Sequence, residues 1–287
     1  MHTHRQRILL FLPLAALLVP FLFWPAVFGL LSSFTTYAPA QAHGRFVGFY
    51  NYATALQNPD LRLAFRNVAV LLTTAVPAEL FIGAVVAYAL REPFRGRGLL
   101  RVCLLMPWLL SPIATGVMWH FLYGHAGMLD WNLAWLRLPP QPSPLGIPGR
   151  ALLAVGVTEI WRKAPLAGFL LLPGVLTVPT AHWEQAVLDG ASLAMQFRHV
   201  LLPWVRPLLL TVALLLIGDT LGTFDSVLMM TGGGPGSETL TPALYSFQQA
   251  FKTYNWPFAV TSAWLIVGAT LLVGLGYVFV VRTEEEL

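Results

Sequence analysis

Charge is what this chain has least of. Only 10% of its 287 residues are Asp, Glu, Lys or Arg, against about a quarter in an ordinary soluble domain. Hydrophobic residues make up 56% and the mean hydropathy is +0.67, which excludes a soluble globular domain and places the chain in a bilayer. Cysteine is nearly absent: Cys103 stands alone, so no internal disulfide forms and the redox compartment cannot be read from thiols. Repeats of 20 to 50 residues, low-complexity tracts and inserts of soluble-domain size are also missing, so residues 1–287 are expected to form a single membrane domain.

Catalytic signatures are equally scarce. Gly232-Gly233-Gly234-Pro235-Gly236 has neither the preceding strand of a dinucleotide fingerprint nor the Gly-Lys-Ser/Thr of a P-loop. Gly190-Ala191-Ser192 lacks the strand of a nucleophile elbow, which weighs against an intramembrane protease. The seven His residues follow no ligand spacing on one helix face. The expectation is a chain that is not an enzyme, with no catalytic residues, no metal site, no cofactor of its own and no nucleic-acid partner.

What is present is apolar length. A hydrocarbon core about 30 Å thick takes about 20 helical residues, and six stretches meet or approach that: 8–31, 67–90, 102–123, 151–178, 207–230 and 256–281. The fold class is therefore all-α, a six-helix transmembrane bundle, with prolines inside several spans tolerated through packing against neighbours. The short loops on one side carry nine Lys or Arg and those on the other six, the dense run from Arg91 to Arg101 dominating. This bias puts both termini in the cytoplasm. Ala40-Gln41-Ala42 resembles a signal cleavage site, but the first apolar run is about twice the usual signal core, so a retained anchor is expected. Pro139 to Pro148 reads as stiff extended chain outside.

Between the fourth and fifth stretches lies a polar island, residues 180–203. It reads as two short helices. Thr180 is suited to cap the first, Gly190 to end it at φ > 0, and Ser192 to start the second. Trp183, Ala186, Val187 and Gly190 fall at i, i+3, i+4 and i+7, an apolar face that either enters a groove on another protein or lies on lipid. Neither short helix contains the Lys typical of a lipid-surface helix. Charges inside the apolar stretches are the other feature: Glu159, Arg162 and Lys163 in the fourth, Asp219 and Asp225 in the fifth. Such groups face a cavity or a partner. Glu159 lies three and four residues before the two cations, so internal pairing is open for it, and an interfacial place is open for Asp225.

The island resembles the Glu-Ala-Ala coupling loop of ABC importer permeases in Glu184, Ala186, Asp189, Gly190, Ala191, Val200, Leu202 and Pro203, with Gln185 as the one departure. Further matches look like the carbohydrate branch of that family, the maltose and glycerol-3-phosphate permeases: Leu105-Met106-Pro107-Trp108, Trp161-Arg162-Lys163-Ala164-Pro165, Phe224-Asp225, and Thr231-Gly232-Gly233-Gly234-Pro235. The resemblance runs from about Ile8 to Arg282 and implies a type I importer fold with a cytoplasmic coupling helix. It implies ATPase coupling through Trp183, Glu184, Ala186, Val187, Asp189, Gly190, Ala191, Leu202 and Pro203. It implies a sugar pathway past Trp108, Arg162, Lys163, Leu166, Asp219, Thr220 and Thr223, with core packing the other reading for Trp108 and Leu166. Arg162 and Lys163 stand where maltose permeases have less charged residues, which suggests an anionic sugar. The implied partners are a second, similar permease, a cytoplasmic ATPase dimer carrying ATP and Mg, and an extracytoplasmic solute-binding protein. The alternatives are an ion-driven secondary transporter or channel, with Asp219, Asp225 and Glu159 as ion sites, and an ABC permease for a solute other than sugar.

Overall fold

The computed structural model of the chain describes residues 16–37, 44–124, 127, 135 and 142–285. Residues 8–15, 40–42 and 139–141, which belong to the expected first span, the cleavage-like run and the proline-rich loop, lie outside the described residues. Among the described residues the structure is helical, with one isolated bridge, Thr35 to Phe46.

Helix α1 covers Ala16–Ser33 and α2 covers Tyr50–Gln57. Helix α3 runs over Pro59–Ala89. Its start is fixed by Asn58, whose Oδ1 accepts from the N–H groups of Asp60 and Leu61 at 2.9 and 3.1 Å, satisfying two of the otherwise orphaned first-turn donors. The apolar stretch 102–123 is not one straight span. It is α4, Arg97–Leu109, and α5, Pro112–Tyr123, bent by 93°. The break has a local cause: Ser111, ahead of Pro112, is pushed to an extended ψ of 145°, and its side chain then caps α5 by accepting from Ala114 N–H at 3.2 Å.

Helix α6 spans Arg150–Leu176 and continues through Pro165 and Pro173. After a bend of 87° comes α7, Thr180–Leu188. Thr180 is the first residue of α7 and not its cap: Pro179 holds that position, without a side-chain hydrogen bond. The C-terminus matches expectation in detail, since Gly190 has φ +73°. Ala191 N–H donates to Ala186 C=O at 2.9 Å and Gly190 N–H to Val187 C=O at 3.0 Å, the two bonds of a Schellman cap.

Ser192 starts α8, accepting from Met195 N–H at 3.4 Å, but α8 does not stop within the island. It runs unbroken over Leu193–Leu221 through a π-turn at Phe197–Leu201. The widened turn lies just ahead of Pro203, whose missing N–H and ring would otherwise disturb the helix. The fifth span therefore begins earlier than position 207 and ends at Leu221. The chain breaks across Gly222 to Phe224 and resumes as α9, Asp225–Met230. Helices α10, Pro242–Phe251, and α11, Trp256–Glu285, complete the chain. Among the described residues, four helices are long and apolar enough to cross a membrane, or up to six when each bent pair is one span.

Two compact units share these elements. In the first, which gathers α1, α2, α10 and the start of α11, Asn51 donates from Nδ2 to the carbonyls of Ser33 and Thr35, both at 2.8 Å. The second holds α4 to α9, most of α3 and the end of α11. Its core is Val76, Ala84, Ala87, Ala167, Leu171, Val175, Val205, Val212 and Leu216, where α3, α6 and α8 converge. Glycines set the spacing: a Cβ on Gly83 would stand 2.6 Å from Ala167 Cβ, and one on Gly116 would stand 2.7 Å from Met229 Cβ, so α3 meets α6 and α5 meets α9 at backbone distance. The Thr231 to Gly236 loop is stitched in the same unit. Thr239 Oγ1 donates to Gly234 C=O at 2.8 Å, and Asn67 Nδ2 donates to the carbonyls of Ser237 and Leu240 at 3.0 and 2.9 Å.

Candidate functional site: an elbow and a buried charge cluster

Helix α7 and the first turns of α8 form an elbow. Its apolar face divides. Trp183 turns inward, its ring 5.7 Å from that of Tyr88, and the Arg91 guanidinium lies over both rings at 4.1 and 4.2 Å. The expected single outward face of Trp183, Ala186, Val187 and Gly190 is thus not what the chain presents. Trp183 is committed internally because Tyr88 and Arg91, at the end of α3, give it cation–π and aromatic contacts. What faces outward is Val187, Leu188 and Leu193, with Glu184 and Asp189. Tyr88 Oη donates to Gln196 Oε1 at 3.3 Å and Gln196 Nε2 to Ala191 C=O at 3.0 Å, tying both arms of the elbow to α3. The inside of the bend forms an open groove of about 560 Å³ lined by His182, Gln185, Asp189, Met195, Pro203 and Trp204. Leu202 is partly exposed beside it.

Deeper in the same unit, α6 and α8 bring together the charges. Glu159 Oε2 is 3.0 Å from both Arg162 Nη2 and Lys163 Nζ, and Asp219 Oδ2 is 3.4 and 2.6 Å from the same two atoms. Lys163 Nζ also donates to Thr220 Oγ1 at 3.3 Å, and Ser226 Oγ donates to Glu159 Oε1 at 2.6 Å. Four charges therefore sum to zero inside one hydrogen-bonded patch, the arrangement that makes buried ions tolerable. Neither Arg162 nor Lys163 is an uncountered cation in this arrangement. Asp219 alone among the four presents an open surface: its side chain is 55% exposed while that of Lys163 is 2% exposed. Thr223 Oγ1 donates to Asp219 C=O at 3.4 Å. Trp108 ends α4 partly exposed and Leu166 is half-buried on α6. Asp225 heads α9, in a first turn where a carboxylate favours the helix dipole.

One carboxyl near this patch, outside its hydrogen bonds, escaped sequence reasoning. Glu79, in α3, is fully buried, and neither of its carboxylate oxygens has a hydrogen-bond partner. The signal was available, since Glu79 is a lone carboxylate within the second apolar stretch and such groups are expensive in a bilayer. Arg91, Tyr88, His182 and Trp204 were also not singled out, because aromatic and basic residues at a membrane boundary are common.

Among the described residues, up to six apolar spans, a capped elbow and a charge cluster between apolar helices are the features of a polytopic membrane protein. Residues 79–285 match the family described as binding-protein-dependent transport system inner membrane component, and the chain belongs to that family. It is 31% identical over 251 residues to the trehalose/maltose transport system permease protein MalF of Thermococcus litoralis, covering 86% of this chain and 82% of that one. It is 27% identical over 292 residues to the sulfoquinovosyl glycerol transport system permease protein SmoG of Agrobacterium fabrum, covering 97% and 91%. In fold it is similar to a bacterial ABC transporter involved in the import of the acidic polysaccharide alginate, with TM-score 0.82, 18% identity, and 97% and 96% of the two chains covered. Family membership makes this a multi-pass inner-membrane protein and decides against the secondary transporter and the intramembrane protease.

Proposed function

We propose that the chain is one membrane-spanning subunit of an ATP-driven importer and passes a sugar or sugar derivative across the membrane by alternating access. The observation that carries this is the Glu184 to Pro203 elbow, whose Schellman-capped bend at Gly190 and unbroken exit into α8 make a stiff lever. Its outward residues Val187, Leu188 and Leu193 are a docking face for a cytoplasmic ATPase dimer, which supplies ATP and Mg. A second permease of the same family and an extracytoplasmic solute-binding protein complete the assembly, and the Arg91 to Arg101 run sets both termini inside. The reading of the substrate as a sugar draws on relatives described as carrying trehalose/maltose and sulfoquinovosyl glycerol. Asp219, with its exposed carboxylate, offers hydrogen bonds to sugar hydroxyls. Trp108 offers an aromatic face and Leu166 an apolar one, while the buried Thr220 and Thr223 serve the site through their hydrogen bonds with Lys163 and the Asp219 carbonyl. Arg162 and Lys163 act by orienting Asp219.

Gly190→Val tests the lever. A β-branched residue at φ +73° is strained, although a Cβ there meets nothing within 4 Å, so the variant should insert normally and lose sugar-stimulated ATP hydrolysis and uptake at least tenfold in proteoliposomes with its partner subunits. Wild-type coupling in Gly190→Val would remove the elbow from the mechanism.

A further inference from the structure

Glu79 is a buried carboxyl that the resting charge network does not use. Its placement is set by helix register. On α3 and α6, a Cβ at Gly156 would meet Leu71, and one at Gly83 would meet Ala167 and Gly168. Positions 71 and 156, and 83 and 167–168, pair at the same offset of about 85, so the helices run parallel and Glu79 stands level with Lys163 and Ala164. Neither of the Glu79 carboxylate oxygens is hydrogen-bonded. The Gly83 and Gly168 crossing lies one turn away, and a Cβ on Gly168 would come within 2.8 Å of Val86. Helices α3 and α6 are therefore locked together at this level.

Asp219 is held differently. It comes from α8, which runs without a break from the elbow, so about 39 Å of continuous helix separates Leu193 from Asp219. Helix α8 also passes close to α6 near the elbow, where a Cβ on Gly174 would stand 2.7 Å from Leu208 Cδ2. That contact is a natural pivot, and Asp219 lies eleven residues beyond it, about 16 Å along the axis. A tilt of α8 away from α6 about Gly174 withdraws Asp219 from Lys163. Glu159 shares one oxygen between both cations, so Lys163 would then lack an anion of its own in a low-dielectric site.

We propose that Glu79 is the positioning residue that receives Lys163 when Asp219 withdraws, so that Lys163 exchanges a moving anion on α8 for a fixed one on α3. The exchange rests on the transport cycle proposed above and deepens it: it releases the Asp219 carboxylate for a sugar hydroxyl while the buried cation stays paired. Both arrangements of Lys163 are then ion pairs, which makes α8 bistable instead of continuously deformable.

The test uses the complete complex, with its second permease and ATPase, in nanodiscs. Spin labels at Val157→Cys on α6 and Leu215→Cys on α8, both exposed positions, in a Cys103→Ser background, report the α6 to α8 separation with and without ATP. The expected result is two separations in the otherwise wild-type complex. Glu79→Gln should deplete the wide one at least fivefold, Glu79→Asp should restore it to within twofold, and Asp219→Asn should enrich it at least fivefold. A wild-type distribution in Glu79→Gln overturns the proposal, and so does a single separation in every nucleotide state. A purely structural Glu79 would lower the yield of complex without moving this distribution. Sugar uptake by the same wild-type complex is read separately: two separations without sugar uptake would count against the sugar reading, not against the exchange.

Discussion

Two arginines hold the two working regions of this permease, and they do so by opposite means. Arg91 is partly covered, lies over the rings of Tyr88 and Trp183 and pairs with the exposed Glu92 at 3.1 Å, so the elbow is fastened chiefly by aromatic faces. Arg162 is buried and shares Glu159 and Asp219 with Lys163. The first fastening is weak and local and can be remade each time the elbow moves. The second tolerates no missing member, because removing one partner leaves a charge without compensation. In the proposed cycle, a lever needs the first kind of attachment and a gate the second.

The sharpest way to break the comparison is to delete one charge of the cluster. Lys163→Met keeps the length of the side chain and leaves Asp219 and Glu159 facing one guanidinium. Breaking a buried pair costs about 3–5 kcal/mol, and the expected outcome is a large fall in thermal stability and in recovered complex. Thermal unfolding of the purified complex checks this. A loss no larger than that of a surface substitution would mean that water reaches the cluster and that its burial is only apparent.

The elbow should respond more gently. Arg91→Ala removes two cation–π contacts, each worth about 0.5–1 kcal/mol at an exposed site. Amide exchange across residues 180–196 should accelerate severalfold while α6 around Glu159 stays protected, and hydrogen exchange resolved by peptide measures both at once. Equal acceleration in α6 would show that the two regions are not independently fastened.

The elbow was legible in the sequence because its determinants are local. Gly190 at φ +73° and Ser192 as a cap follow from residue chemistry within one or two turns. The cluster was only half legible. The i, i+3 and i+4 spacing of Glu159, Arg162 and Lys163 announced their pairing, but Asp219 and Ser226 reach Glu159 and its cations from 56 to 67 positions away. Glu79 depends on a register set by glycine contacts. The break at Ser111-Pro112 carried a plain signal, a cap residue followed by proline, that hydropathy alone passes over. The inward turn of Trp183 was hidden for another reason: the same apolar face suits a foreign groove or a neighbour's Arg and Tyr, and only tertiary structure chooses between them.

The finest test separates the two components of the elbow's attachment. Tyr88→Phe keeps the ring under Arg91 and beside Trp183 but removes the hydroxyl that donates to Gln196 at 3.3 Å. A hydrogen bond that long is weak, so the loss should be at most about 0.5–1 kcal/mol, smaller than that of Arg91→Ala. Exchange should quicken only near Gln196, the residue that links Tyr88 to the Ala191 carbonyl, with the Trp183 segment unchanged. If Tyr88→Phe loosened residues 180–188 as much as Arg91→Ala does, the hydroxyl and not the stacked guanidinium would be what holds the lever to α3. The contrast between an aromatic fastening and an ionic one would then give way to one between a hydrogen bond and an ion pair.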